Sequence, residues 1–303
     1  MEPLVSYIVM QCHGDKSIFS ECMFALMTLS KWTPPSHWNN KEIWIYSDDP
    51  EWFASFDCPL PLHFRKIDSD IVKKWKGDID FIHRVKIEVL LDFTANRTGN
   101  ILYFDTDILF LQAIEPVWAG IGNGDLYMCV MEGKLMDENQ PNLIIPKLAS
   151  FIRKNSPLKI GEETLNISPQ VAMWNAGVIG FNTSYRHILE KALVFTDAIY
   201  PRFPKHIVEQ FAFSLYLQQQ APLKAATSYL IHYWNMKEVR PLLNSFFQKY
   251  KGKSWSELIA LSEQIQIPLM MQDKINFLYN TTLLDKILKK KWKPEIPELD
   301  VQG

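Results

Sequence analysis

The sequence predicts an α/β protein: a Rossmann-like, mostly parallel sheet flanked by helices, with a helical C-terminal extension. Three observations carry this. Short apolar runs of strand type alternate with longer amphipathic runs, the pattern of βα units. Beyond about residue 240 only helical periodicity remains. Between these regions, ILYFDTDILFL (101–111) places two aspartates in a run that would otherwise read as buried core.

LVSYIVMQ (4–11) is a buried-strand pattern, and SIFSECMFALMTLSKW (17–32) is an amphipathic helix with Ser17 as its cap. EIWIYS (42–47) is a second strand closed by the turn DDP, and LPLHFRKI (60–67) a third. A long helix is expected over 78–96, leading through Gly99-Asn100 into the strand ILYF (101–104). DLYMCVM (125–131), QVAMWNAGVIGFN (170–182) and TSYLIHYW (227–234) read as further strands, with helices over 185–199 and 205–219. No repeat or low-complexity linker interrupts the chain. The expected division is a catalytic domain over 1–240 and a helical extension over 241–303 packed on it.

Composition is that of an ordinary globular chain: 303 residues, 47% hydrophobic and 22% charged, with a net charge of −2. Nothing in the charge balance points to nucleic acid. Thirteen per cent aromatics, ten of them Trp, suits either a bulky core or a surface that stacks on rings and sugars. The N-terminus lacks the basic and apolar regions of a signal peptide, and no run reaches the ~18 apolar residues of a membrane span. A cytoplasmic protein is therefore expected. Cys12, Cys22, Cys58 and Cys129 form no CxxC pair and are expected as reduced thiols.

Asp105 and Asp107 are costly in such a strand unless something positive meets them. Carboxylates two apart at a strand end can converge on a hard divalent cation, which takes oxygen ligands at about 2.0–2.2 Å and leaves positions for phosphates and water. The plainer alternative is a turn cap and a surface ion pair. Three other features bear on the choice. Asn175-Ala176-Gly177 follows a bulky strand with very small residues, allowing close approach of a ligand or of backbone. Arg84 and Lys86 sit on the helix that feeds the metal strand and could neutralise a diphosphate, Arg as a fork and Lys as a point charge. His232 ends the strand SYLI, where a lone histidine is either structural or a ligand.

The chain resembles GT-A glycosyltransferases, and within them glycosyltransferase family eight, which includes glycogenin and bacterial lipopolysaccharide galactosyl- and glucosyltransferases. The resemblance rests on the strand leading into Asp105-Thr106-Asp107 and on SYIVMQCHGD, FIHRVKIEVL, WNAGVIGFN and IHYWNMKEV in that order, spanning roughly residues 5–240. It implies a GT-A fold and a divalent ion, Mn²⁺ or Mg²⁺, on Asp105, Asp107 and His232. It implies donor contacts from Thr106, base and ribose contacts from Gln11, Cys12 and His13 with Asp48 in the same pocket, and Asn175 and Ala176 lining the cleft. Residues two apart on a helix do not share a face, so of Arg84 and Lys86 the resemblance favours Arg84. Glu209-Gln210 in HIVEQFAFS is similar to the family's Asp-Gln pair, whose acid binds sugar hydroxyls while its amide lies near the anomeric carbon. The family's His-x-x-Gly-x-x-Lys-Pro-Trp is broken here: Asn235 replaces the Gly, Lys237 comes one residue early, and no Pro-Trp follows there.

These features imply transfer from a UDP-sugar to a glycan, lipid-linked or protein acceptor with retention, the acceptor being selected by 132–166. Two alternatives stand beside it: a catalytically silent sugar-nucleotide-binding protein, and a haloacid-dehalogenase-type phosphatase, whose motif has Thr or Val where this chain has Leu109. In LLDKILKKKWKPEIPEL (283–299), apolar residues at helical spacing precede lysines around Trp292. This is either a peripheral membrane contact at the inner face or a helix packed on the domain.

Overall fold

The computed structural model describes residues 4–137, 142–281 and 291–294. The strands are β1 (Ser6–Cys12), β2 (Lys41–Ser47), β3 (Leu62–Lys66), β4 (Asn100–Phe104), β5 (Ile108–Phe110), β6 (Leu126–Met128), β7 (Met131–Lys134), β8 (Leu158–Ile160), β9 (Glu163–Leu165), β10 (Ala172–Trp174), β11 (Val178–Asn182), β12 (Leu223–Ala225) and β13 (Leu230–His232). The helices are α1 (Lys16–Trp32), α2 (Ser69–Lys76), α3 (Arg84–Thr94), α4 (Glu115–Gly122), α5 (Ile145–Asn155), α6 (His187–Ile199), α7 (Ile207–Gln218), α8 (Val239–Lys249), α9 (Trp255–Ser262) and α10 (Ile267–Asn280).

Seven strands form the central sheet in the order β3-β2-β1-β4-β11-β6-β12. Only β11 runs against its neighbours; β1 is parallel to β2 and β4, β2 to β3, and β12 to β6. Side chains alternate across the sheet and both faces are buried. Ile8, Met10 and Cys12 pack with α1 and α8, while Tyr7 and Val9 pack with α3, α6 and α7. Two covered faces explain why these strands read as unbroken apolar runs. The mostly parallel α/β fold with flanking helices is the one the sequence predicts. Three two-stranded sheets, β7-β10, β5-β13 and β8-β9, decorate it.

Local differences from the sequence expectation have local causes. Asp15, not Ser17, caps α1, its carboxylate accepting the Ser17 N–H at 2.8 Å. The helix expected over 78–96 starts only at Arg84. Before it, α2 ends at Gly77 (φ 64°) and Asp80 is also left-handed (φ 48°), so the chain turns twice. The strands expected over 125–131 and 170–182 each divide in two. In the second, the Asn175 side chain accepts the Gly177 N–H and makes a turn of the small residues. The stretch 132–166 contains α5 and the β8-β9 hairpin, neither anticipated.

All four cysteines are free thiols. Among the described residues no helix is long and apolar enough to cross a membrane. Leu242, Leu243, Phe246 and Phe247 of α8 lie in the same buried cluster as α1. The basic stretch 283–290 lies outside the described residues, but Trp292 does not. It is 6% exposed in that cluster and donates its indole N–H to Asp273 on α10 at 2.7 Å. Trp292→Ala should therefore lower unfolding free energy by about 3 kcal/mol, read from the midpoint of urea denaturation. An unchanged midpoint would mean that Trp292 holds nothing.

Candidate active site

Strand β4 delivers Asp105 to the carboxyl end of the sheet, where open α/β folds place their ligands. Its backbone N–H donates to Gly177 O at 2.9 Å, and the Tyr103 hydroxyl donates to Asp105 Oδ1 at 2.8 Å. Lys86 Nζ lies 3.2 Å from the same carboxylate, donates to Ala176 O at 2.8 Å, and pairs with Glu209 at 3.3 Å. Burial opposes charge on Lys86, but the two acids more than offset it and raise its pKa.

Asp107 is met from the other side. β5 pairs antiparallel with β13, setting His232 opposite Ile108, and Tyr233 N–H donates to Asp107 O at 3.0 Å. His232 Nε2 lies 3.0 Å from Asp107 Oδ1 and 3.9 Å from Asp105 Oδ2. Its Nδ1 lies 2.7 Å from Asn175 Oδ1, which also accepts the Gly177 N–H. That oxygen can only accept, so Nδ1 carries a proton, and Nε2, itself protonated in the metal-free ring, points at the aspartates, where losing that proton would leave its lone pair for a cation. Burial works against a charged ring, but Asp107 overrides it and pushes His232 up to about 10. One ligand atom from each of Asp105, Asp107 and His232 falls within 4.8 Å of the others. Two carboxylates and an imidazole with a fixed tautomer fit a divalent ion.

A second group stands beside this one. Gln210 Nε2 donates to Glu132 Oε2 at 2.8 Å, and Asn175 Nδ2 donates to Glu132 Oε1 at 3.1 Å. Glu132 thus holds both amides, and no sequence pattern pointed to it. Glu209, one residue from Gln210, is 2% exposed. Burial, partly opposed by Lys86, pushes its carboxyl up to about 7.

Of the two cations on α3, the structure brings Lys86 to Asp105 and leaves Arg84 elsewhere, reversing the order the sequence favoured. Arg84 is held by Asp197 at 2.7 Å, Glu88 at 2.6 Å and Trp75 O at 2.7 Å. Lys237 is exposed; burial pushes the His83 pKa down to about 4, and the charges of Lys86 and Lys237 add to that. Arg240 carried no expectation from the sequence, although Arg240-Pro241 stands two residues beyond the position of Lys-Pro in the resembled pattern. Its Nε donates to Glu21 at 2.9 Å, and it lies within electrostatic reach of Asp107. Thr106 is buried between the aspartates and Ala176 is buried behind Lys86. At the ends of β1 and β2, Asp48 accepts the Gly14 N–H at 3.0 Å, His13 is partly exposed, and the buried Gln11 Oε1 has no partner among the described residues. Cys12 faces the core beside Cys22, so its thiol is turned away from that end.

No family model and no curated protein sequence matches the chain. Among solved structures it is similar to mouse xyloside xylosyltransferase 1 in its apo form, at 12% identity and a TM-score of 0.46 over 73% of this chain and 85% of that one. It is also similar to the glycosyltransferase GlyE of Streptococcus pneumoniae TIGR4. The apo form gives 13% identity and a TM-score of 0.47 over 84% of this chain and 62% of that one. A further GlyE structure gives 14% and 0.46 over 88% and 64%. The chain thus spans less than two thirds of the length of either GlyE chain.

The geometry can be tested at two positions. A Cβ added at Gly177 would land on the His232 imidazole, while the backbone there is unstrained. Gly177→Ala should weaken Mn²⁺ binding at least tenfold, by equilibrium dialysis, with an unchanged far-UV circular dichroism spectrum. Undiminished affinity would remove His232 from the ligand set. The second position is Glu21, which burial pushes up to about 7 from 4.5 against the pairing of Arg240. Between those values the folded chain keeps a proton that the unfolded chain has lost, so stability falls as pH rises from 4.5 to 7. The loss is at most about 3 kcal/mol. Glu21→Gln should flatten that part of the stability–pH curve in urea denaturation, and parallel curves for the two proteins would refute the assignment.

Proposed function

We propose that the chain is a metal-dependent glycosyltransferase of GT-A type. It would move a sugar, with retention, from a nucleoside diphosphate sugar, by resemblance a UDP-sugar, to a glycan, lipid-linked or protein acceptor. The observation that carries this is the convergence of Asp105, Asp107 and His232 at the carboxyl end of the central strand, with the imidazole tautomer set by Asn175. Asp105, Asp107 and His232 would hold Mn²⁺ or Mg²⁺, which when bound supplies Lewis-acid neutralisation of the charge on a departing diphosphate.

The chain's own residues divide the remaining work. Lys86 and Tyr103 hold the Asp105 carboxylate in place, and Asn175 keeps Nε2 of His232 aimed inward. Arg240 and Lys237 would serve as cations for a diphosphate, Arg240 carrying the greater share because it is within electrostatic reach of Asp107. Thr106, Gln11, His13 and Asp48 line the nucleotide end, to which Cys12 offers only its backbone. Gln210 donates its amide N–H to Glu132, which leaves its amide oxygen to face positive charge developing at the anomeric carbon. A neutral amide is a weak nucleophile, so no covalent intermediate is assigned. Glu209 acts through Lys86 and not on a sugar hydroxyl, since its carboxylate is buried against that ammonium.

Thermal shift with UDP tests the proposal. UDP should raise the melting temperature clearly with Mn²⁺ and little in EDTA, and Asp107→Asn should erase the metal-dependent part. Equal stabilisation with and without metal would defeat it, and an inverted linkage in the product by NMR would defeat the retaining mechanism alone.

A further inference from the structure

Outside the candidate active site, a groove of about 520 Å³ descends the flank of the molecule along β7, β10 and the end of α7. That volume is in the range of small-molecule sites. It is joined to the candidate active site by the chain itself. Met131 on the groove neighbours Glu132 in the site, and Trp174 neighbours Asn175. α7 runs alongside, from Gln210 at the cleft to Gln218 in the groove, eight residues or about 12 Å away.

The lining has a distinct chemistry. Gln170, Gln218, Gln219 and Gln220 surround the indole of Trp174 and the thioether of Met131. Gln218 closes the floor, bonding the Ala172 N–H and C=O at 3.2 and 2.8 Å. Ser214 fastens the wall: its Oγ accepts the Trp174 N–H at 2.9 Å and donates to Gln210 O at 2.8 Å. Gln219 and Gln220 are exposed and, among the described residues, no side-chain hydrogen bond ties them. No carboxylate is among the lining residues, and the cation Lys134 is engaged with Gln170 at 3.4 Å. Amides that both donate and accept, around one aromatic face, match a ligand of many hydroxyls and no charge.

We infer that this groove is an acceptor subsite for a neutral oligosaccharide, seating sugar units beyond the one that reacts; the acceptor role rests on the proposed glycosyltransferase function. Gln210 and Glu132 would then stand where the reacting unit enters the cleft, with the rest of the acceptor lying over Trp174 toward Gln220.

The test is methyl NMR on the full chain with ¹³C-methyl methionine, the Met131 signal being assigned by Met131→Leu. Maltotriose, cellotriose and chitotriose are titrated in the presence of UDP and Mn²⁺. At least one should shift the Met131 resonance saturably, while glucose and N-acetylglucosamine at equal concentration leave it in place. The double change Gln219→Ala and Gln220→Ala should weaken that binding at least threefold without altering the response to UDP. If no trisaccharide moves Met131 while UDP with Mn²⁺ still perturbs the spectrum, the groove inference fails and the transferase reading stands. An equal shift with the acidic trisaccharide 3′-sialyllactose would overturn neutrality. A trisaccharide shift in a protein indifferent to UDP and Mn²⁺ would overturn the acceptor role.

Discussion

Two negative charges at the end of a buried strand are the constraint around which this molecule is arranged. Leaving one member of such a cluster unpaired costs several kcal/mol. Each aspartate is met by a different cation from a different element: Lys86 of α3 reaches Asp105, and His232 of β13, which pairs with β5 beyond the central strand, reaches Asp107. The reversed strand β11 belongs to the same solution. Its leading turn supplies the Gly177 carbonyl to the Asp105 N–H and the Asn175 amide to His232. Removing any of these would strand a polar group behind a wall of apolar side chains.

Much of the architecture was legible because hydrophobic periodicity is a local property. A strand covered on both faces and a helix covered on one write their patterns into a handful of consecutive residues, and β1, α1, β2 and β4 were found that way. The aspartates were visible for the same reason: charge inside an apolar run has to be explained. What decided the site's details was not local. Which of Arg84 and Lys86 enters the site depends on Asp197, on another helix, which takes Arg84. The smallness of Gly177 was plain, but its cause is an imidazole on a later strand. It is a side chain that approaches there, where the sequence suggested a ligand or backbone.

Two omissions differ in kind. Glu21 is the one acid in the otherwise apolar and small-polar stretch 17–30, a signal that was available. Its burial against Arg240 makes it the innermost member of a network that continues to Asp107. Glu132 gave no comparable sign. It sits in a segment with neither strong periodicity nor a motif, and its role appears only when Gln210 and Asn175 converge on its two oxygens.

The position of β13 has a consequence for how the protein is made. Asp107 and His232 are 125 residues apart, and β12, the last strand of the central sheet, is complete before β13 begins. Contacts so distant in sequence form late, because the entropy of closing the loop is lost before they stabilise anything. During synthesis the chain can therefore close its main sheet while Asp107 still lacks its imidazole and the two carboxylates repel each other across the strand end. The emergence of β13 relieves that repulsion, and Arg240 on α8 follows a few residues later to add its charge to the site. A chain interrupted between β12 and β13 would lose α8 together with His232, so one face of its sheet would be stripped of part of its apolar cover at the same time as Asp107 lost its partner.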